Sequence, residues 1–197
     1  MNLPNKLTII RIVLVPIILL IWLFPYSSFN ISFPVIEIGN ISLSILNIII
    51  LVLFIIASFT DYLDGHIARK KNLITTFGKF ADPIADKLLT TTMFLILGSK
   101  HMLPILPIIL MVARDIVVDG CRMIAAQNGV VVAAGILGKL KTVLQMILII
   151  LTLLNNLPFE LFFIPFTEIL TWFTAFISIL SGYTYYKDLS NYIFESI

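Results

Sequence analysis

Long apolar stretches separated by short polar ones run the length of the chain. A helical membrane span needs about 20 mostly apolar residues, because each residue rises about 1.5 Å and the hydrocarbon core is about 30 Å thick. Six stretches meet that need: residues 7–24, 43–61, 78–97, 103–125, 137–154 and 162–183. The second helix is expected to run on toward Arg69. Apolar runs this long, without period-two alternation, argue against strands. The pattern predicts an all-α, polytopic integral membrane protein with six transmembrane helices, forming a single domain over residues 1–197. The segment between the first two spans, residues 25–40, holds Pro25, Pro34 and Gly39 and reads as an interfacial loop.

Composition agrees with the membrane reading. The chain is 59% hydrophobic and 12% charged, whereas a soluble domain carries about 25% charge. Cys121 is the only cysteine, which excludes a disulfide within the chain and a cysteine-based metal cluster. The first apolar run is long and no small-residue cleavage site follows it, so it reads as a retained span rather than a signal peptide. With six spans, every Lys and Arg except Lys100 falls on one side. The positive-inside rule makes that side cytoplasmic, together with both termini. The absence of an obvious transit peptide points to a bacterial plasma membrane.

Against this background, four of the 11 acidic residues are concentrated between Asp61 and Asp86. Carboxylates beside membrane spans are costly and mark function by default. Asp61 and Asp64 are three apart, and Asp82 and Asp86 four apart, so each pair shares one face of a helix. Two such helices meeting would form an oxygen-rich site for hard cations. A pair of divalent ions there suits phosphoryl chemistry. Gly65 and Gly78 remove side chains where a ligand approaches, Arg69 suits phosphate, and Pro83 fits the first turn of the third helix. The plainer reading pairs these acids with Lys70, Lys71, Lys79 and Lys87 at a solvated helix end. His66 faces away from the Asp61/Asp64 stripe and reads as a bystander.

The run Asp61-x2-Asp64-Gly65-x2-Ala68-Arg69-x8-Gly78-x3-Asp82-x3-Asp86 resembles the motif of the CDP-alcohol phosphatidyltransferases at every fixed position. The resemblance implies a six-helix fold, usually homodimeric, that transfers a phosphatidyl group from a CDP-linked lipid to an alcohol and releases CMP. It implies that Asp61, Asp64 and Asp82 bind metal, probed by Mg2+ or Mn2+, with Asp86 at or near a second ion. Asp86 is also the implied base for the acceptor hydroxyl. Gly65, Ala68, Arg69 and Gly78 would contact the CDP group. No Ser, Cys or His in the motif is placed as an obvious nucleophile, which favours direct displacement.

Other segments bear on the acceptor. Pro4-Asn5-Lys6-Leu7-Thr8 with Arg11 reads plainly as a capped helix start with interface cations. Arg114, Asp115, Asp119 and Arg122 lie in the fourth span, where Asp119 and Arg122 suit an internal pair and an unpaired Arg114 would be costly. Gly138-Lys139-Leu140-Lys141-Thr142-x2-Gln145 opens the fifth span, and its lysines read plainly as snorkelling cations. The first and last of these segments, and the Asp82-Pro83-x-Ala85-Asp86-Lys87 setting, resemble the branch of the family that uses glycerol 3-phosphate, and an anionic-substrate pocket accounts for Arg114. By that resemblance Asn5 and Thr8 line the nucleotide end, with CDP-diacylglycerol as donor. Arg114, Arg122, Lys139 and Lys141 then contact the acceptor phosphate. Another member of the family, such as a cardiolipin synthase or an inositol-phosphate transferase, a small ion-coupled transporter and a membrane scaffold are the alternatives. Trp22, Trp172, Tyr183, Tyr185 and Tyr186 lie near span ends and read as lipid-facing or interfacial.

Overall fold

The computed structural model describes residues 2–70, 75–127 and 135–194, without the side chains of Tyr62, Arg69, Lys79 and residues 191–194. Its long helices are α1 (Leu3–Leu23), α2 (Ile45–Lys70), α3 (Thr76–Ser99), α4 (Ile105–Gln127), α5 (Ile136–Leu153) and α6 (Phe166–Phe194). Each covers one of the six predicted spans. By length and composition alone, α1, α5 and the Ile45–Ala68 part of α2 are apolar enough to cross a membrane. α3 carries Asp82 and Asp86, α4 carries Arg114 and Arg122, and α6 carries buried Thr and Ser.

The helices extend beyond the hydropathy limits because their polar ends are invisible to an apolar count. α1 begins at Leu3, where Asn2 is the N-cap and its side-chain oxygen accepts from the Asn5 amide at 3.1 Å. Pro4 is tolerated there because first-turn amides have no helical partner. The cap is therefore Asn2, and Asn5 is inside the helix. α3 begins at Thr76, so Pro83 lies inside it rather than in its first turn.

The expectation of no strands fails in one place. Within and just after the predicted interfacial loop, β1 (Val35–Ile38) pairs antiparallel with β2 (Ile41–Ser44), with Ile38 opposite Ile41. Gly39 supplies the positive φ of 60° that a two-residue hairpin loop needs. Ile41 and Leu43 are buried while Ser42 is exposed, a period-two pattern too short to register beside spans of helical length.

The described chain divides into two units. Met1–Ile96 and Ile150–Ile164 form the first; Leu97–Ile149 and Pro165–Ile197 form the second. In the first, α1 packs on α2. The buried stripe of α1 is Thr8, Arg11, Val15, Ile18 and Trp22, and that of α2 includes Ile50, Phe54, Ala57 and Asp64. Steps of three and four keep each stripe on one face. Thr8 meets Asp64 and Arg11 meets Asp61, so the helices run antiparallel. The seam is apolar along Val15, Ile18, Trp22, Ile50 and Phe54, and polar at its other end.

In the second unit α4 packs on α6. Thr171, Thr174, Ser178 and Ser181 of α6 are fully buried. Small side chains let two helices approach closely where lipid removes the hydrophobic drive between them. Thr171 and Thr174 donate to the carbonyls of Thr167 and Leu170, one turn back. Trp22 and Tyr185 are buried, contrary to the interfacial expectation, whereas Trp172, Tyr183 and Tyr186 are exposed. Position near a span end does not say which face of the helix a side chain is on.

Phe54→Ala should lower stability by about 3–5 kcal/mol by opening a cavity in the α1–α2 seam. Ile56→Ala, on the exposed face of the same helix, should cost far less. Thermal melts of both variants in detergent check this; equal losses would contradict the assignment of the buried face.

Candidate active site

The polar end of the α1–α2 seam holds three of the four motif acids. Arg11 is fully buried and forks across two of them: Nη1 donates to Asp61 Oδ1 and Nη2 to Asp64 Oδ2, each at 2.5 Å. The side chain of Asp61 is 36% exposed and that of Asp64 only 2%. The Nε of Arg11 has no hydrogen-bond partner among the described residues. Thr8, one turn before Arg11, brings in α3: its hydroxyl is 2.7 Å from Asp82 Oδ1 and 3.4 Å from Asp64 Oδ2. A hydroxyl has one proton to give, and the shorter distance assigns it to Asp82. Removing one partner of a buried ion pair typically costs about 3–5 kcal/mol, because the other charge is left unpaired.

Gly78 opens the floor beside these acids. A Cβ there would stand 3.5 Å from both Asn5 Oδ1 and Asp82 Oδ2, and 3.3 Å from Thr75 Oγ1. Thr75 Oγ1 donates to Asn5 Oδ1 at 2.9 Å and accepts from the Gly78 amide at 3.0 Å. Asn5 and Thr8, predicted at the nucleotide end, thus sit against Gly78 and Asp82. Asp86 is half-buried on α3, one turn beyond Asp82. Thr90 donates to its backbone carbonyl at 3.1 Å. Gly65 and Ala68 are half-buried on α2, while the Arg69 side chain lies outside the described residues. His66 is exposed, as expected of a bystander.

The residues present are chemically suited to a hard divalent cation: the donors are carboxylate oxygens, gathered where one glycine leaves room. Among the described residues, however, no group of three acidic, His or Cys side chains stands ready around an ion. Asp61, Asp64 and Asp82 are instead gathered by Arg11 and Thr8. The plainer expectation paired the acids with neighbouring lysines; the partner described for Asp61 and Asp64 is Arg11, 50 or more positions away in sequence.

A model of the CDP-alcohol phosphatidyltransferase family matches residues 1–180. The chain belongs to the CDP-alcohol phosphatidyltransferase family. It is 43% identical over 186 residues to a Bacillus subtilis protein named CDP-diacylglycerol--glycerol-3-phosphate 3-phosphatidyltransferase, covering 94% of each chain. A Rickettsia typhi protein of the same name is 38% identical, with 97% of this chain and 98% of its own covered. A Mycoplasma genitalium protein, also of that name, is 35% identical over 97% of this chain and 86% of its own. The family is a membrane family that generally depends on divalent metal, and the relatives are bacterial.

In this member of the family the second unit gathers three of the four cations expected at an acceptor phosphate. Arg114 Nη1 donates to Asp115 at 2.8 Å and Nη2 to Ser181 at 2.7 Å. Lys141, itself buried, spans both oxygens of Asp115 at 2.6 and 2.8 Å. Arg122 Nη2 donates to the Tyr185 hydroxyl at 2.6 Å. The carbons of the Arg114 and Arg122 guanidinium groups lie 5.7 and 4.6 Å from the Tyr185 ring centre. Lys139 is exposed and fits the snorkelling reading instead.

Arg11, Asp115 and Tyr185 are therefore partners of the candidate residues that reading the motif alone overlooks. Arg11 had a usable signal, since steps of three and four from Thr8 through Val15 and Ile18 to Trp22 place it on one stripe. Tyr185 had a weaker one: it is four positions after Ser181, on the same face of α6.

Tyr185→Phe removes the acceptor for Arg122 and for the Gly135 amide, which bonds the same hydroxyl at 3.0 Å. The expected loss is about 1–3 kcal/mol, read as a lowered melting temperature in detergent. An unchanged melt would show that these donors are satisfied some other way.

Proposed function

We propose that the chain transfers the phosphatidyl group of CDP-diacylglycerol to sn-glycerol 3-phosphate, releasing CMP and forming phosphatidylglycerophosphate. The observation that carries this reading is the gathering of Asp61, Asp64 and Asp82 at one end of a helix seam, beside Gly78. The names of relatives that match nearly the whole chain support the choice of acceptor.

In this reading Asn5, Thr8, Gly65, Ala68, Arg69 and Gly78 bind the CDP end of the lipid. Asp61, Asp64, Asp82 and Asp86 would hold two divalent ions, Mg2+ or Mn2+, which neutralise the pyrophosphate and stabilise departing CMP. Asp86 takes the proton of the acceptor hydroxyl. That oxygen forms a bond to the lipid-bearing phosphorus, and the bond from that phosphorus to the CMP oxygen breaks. Arg114, Arg122 and Lys141 supply positive charge for the acceptor's own phosphate, with Lys139 as a further exposed cation. Their existing partners, Asp115 and Tyr185, hold them until that phosphate arrives. Basic sidedness puts both termini and the site on the cytoplasmic face of a bacterial plasma membrane. The lipid enters from the bilayer, and a homodimer is the working assembly.

The test is CMP release by the purified protein in mixed micelles of CDP-diacylglycerol with Mg2+ and a panel of alcohols. Glycerol 3-phosphate should support release; phosphatidylglycerol, serine and inositol phosphate should not. No release with any acceptor would overturn the enzymatic reading, and release with another alcohol alone would reassign the acceptor. Asp86→Asn should lower kcat by about 10²–10⁴-fold. Arg114→Ala and Lys141→Ala should chiefly raise KM for glycerol 3-phosphate; unchanged acceptor kinetics in both would remove the phosphate assignment.

A further inference from the structure

The position of Arg11 raises a question that the phosphatidyl-transfer reading leaves open. A carboxylate site for divalent cations would normally keep its oxygens available. Here one oxygen of Asp61 and one of Asp64 are held by the two Nη atoms of a single guanidinium, at 2.5 Å each. Arg11 is fully buried, and its third nitrogen, Nε, has no partner among the described residues. Its position is set by the helix seam: Thr8 and Val15, one turn to either side, are buried on the same stripe. The guanidinium therefore has no solvent shell of its own, and its described bonds are to acids that the proposed function assigns to metal.

We propose that Arg11 is an internal counter-cation for the ion site, exchanged for a divalent cation when that cation binds. The inference rests on the reading of Asp61 and Asp64 as metal ligands. A Mg2+ or Mn2+ ion needs oxygen ligands at about 2.0–2.2 Å. An ion sharing Asp61 Oδ1 and Asp64 Oδ2 would be pressed against the two Nη atoms already bound to them. Like charges that close, beside a fully buried guanidinium, repel strongly. An ion on the second oxygen of either acid would still stand close to the fork, so the arginine and the ion compete for the same two carboxylates.

The exchange explains two features together. It accounts for the burial of Asp64, since an unpaired carboxylate there would be costly. It also accounts for three motif acids lying close together without standing in ready metal-binding geometry. Thr8 keeps its bond to Asp82 on α3 and does not depend on the exchange.

Negative coupling of this kind makes two measurable statements, neither of which needs turnover. Mn2+ binding to the purified protein, followed by electron paramagnetic resonance, should be about tenfold tighter in Arg11→Met than in the unsubstituted chain, within the usual range of coupling between sites. In chelator, Arg11→Met should melt below the unsubstituted chain, and Mn2+ should raise its melting temperature by more. Arg11→Lys keeps a charge but cannot fork, so its affinity should fall between the two; it also serves if Arg11→Met folds only with the ion. Equal Mn2+ affinity in all three chains overturns the exchange while leaving the metal site intact. No Mn2+ binding that is lost in Asp64→Asn overturns the exchange and the metal reading together. Weaker binding in both Arg11 variants overturns it as well, because Arg11 would then support the ion instead of competing with it.

Discussion

A guanidinium taken out of water has to stay paired, and in this chain that constraint organises the polar end of the α1–α2 seam. Arg11 is fully buried, and its two Nη atoms end on Asp61 and Asp64. Neither partner is tolerable there alone. An uncompensated buried charge is penalised severely, whereas a well-forked pair can roughly break even. The apolar part of the seam, from Val15 to Trp22 and from Ile50 to Ala57, supplies the packing that keeps the pair in register. Thr8 then ties α3 to the same point through Asp82.

The second unit solves a similar problem with different chemistry. Three cations on α4 and α5 are held by one carboxylate, Asp115, and one aromatic ring, Tyr185. The ring adds attraction for the guanidinium groups without adding net negative charge. The small residues of α6 make room for this: a Cβ at Gly182 would stand 2.9 Å from Arg114 Cγ, and the neighbouring Ser181 accepts from Arg114 Nη2. Both units place charge on buried helix faces and pair it across helices, as low-dielectric surroundings require.

Much of the fold was legible because the membrane imposes a length. A helix must carry its backbone hydrogen bonds internally and stay apolar for about 20 residues, and the places of all six long helices followed from that count. The hairpin at 35–44 escaped it, since two strands of four residues each leave only a short alternation. The candidate acids were legible for another reason. Spacings of three and four put Asp61 with Asp64 and Asp82 with Asp86 whatever the helices do next, and the fixed positions of the family motif are all present.

The sequence by itself determined the class of protein, the places of its helices and the residues able to hold cations and phosphates. Each of those follows from local rules: span length, helical periodicity and the chemistry of single side chains. The tertiary structure decided the partners. Arg11 meets Asp61 and Asp64 across 50 and 53 positions, and Arg114 meets Ser181 across 67. Tyr185, which looked interfacial, proved to be buried between two arginines. Periodicity says which side chains share a face. Only packing decides what that face meets, because the cost of burying a charge is settled by its neighbours in space.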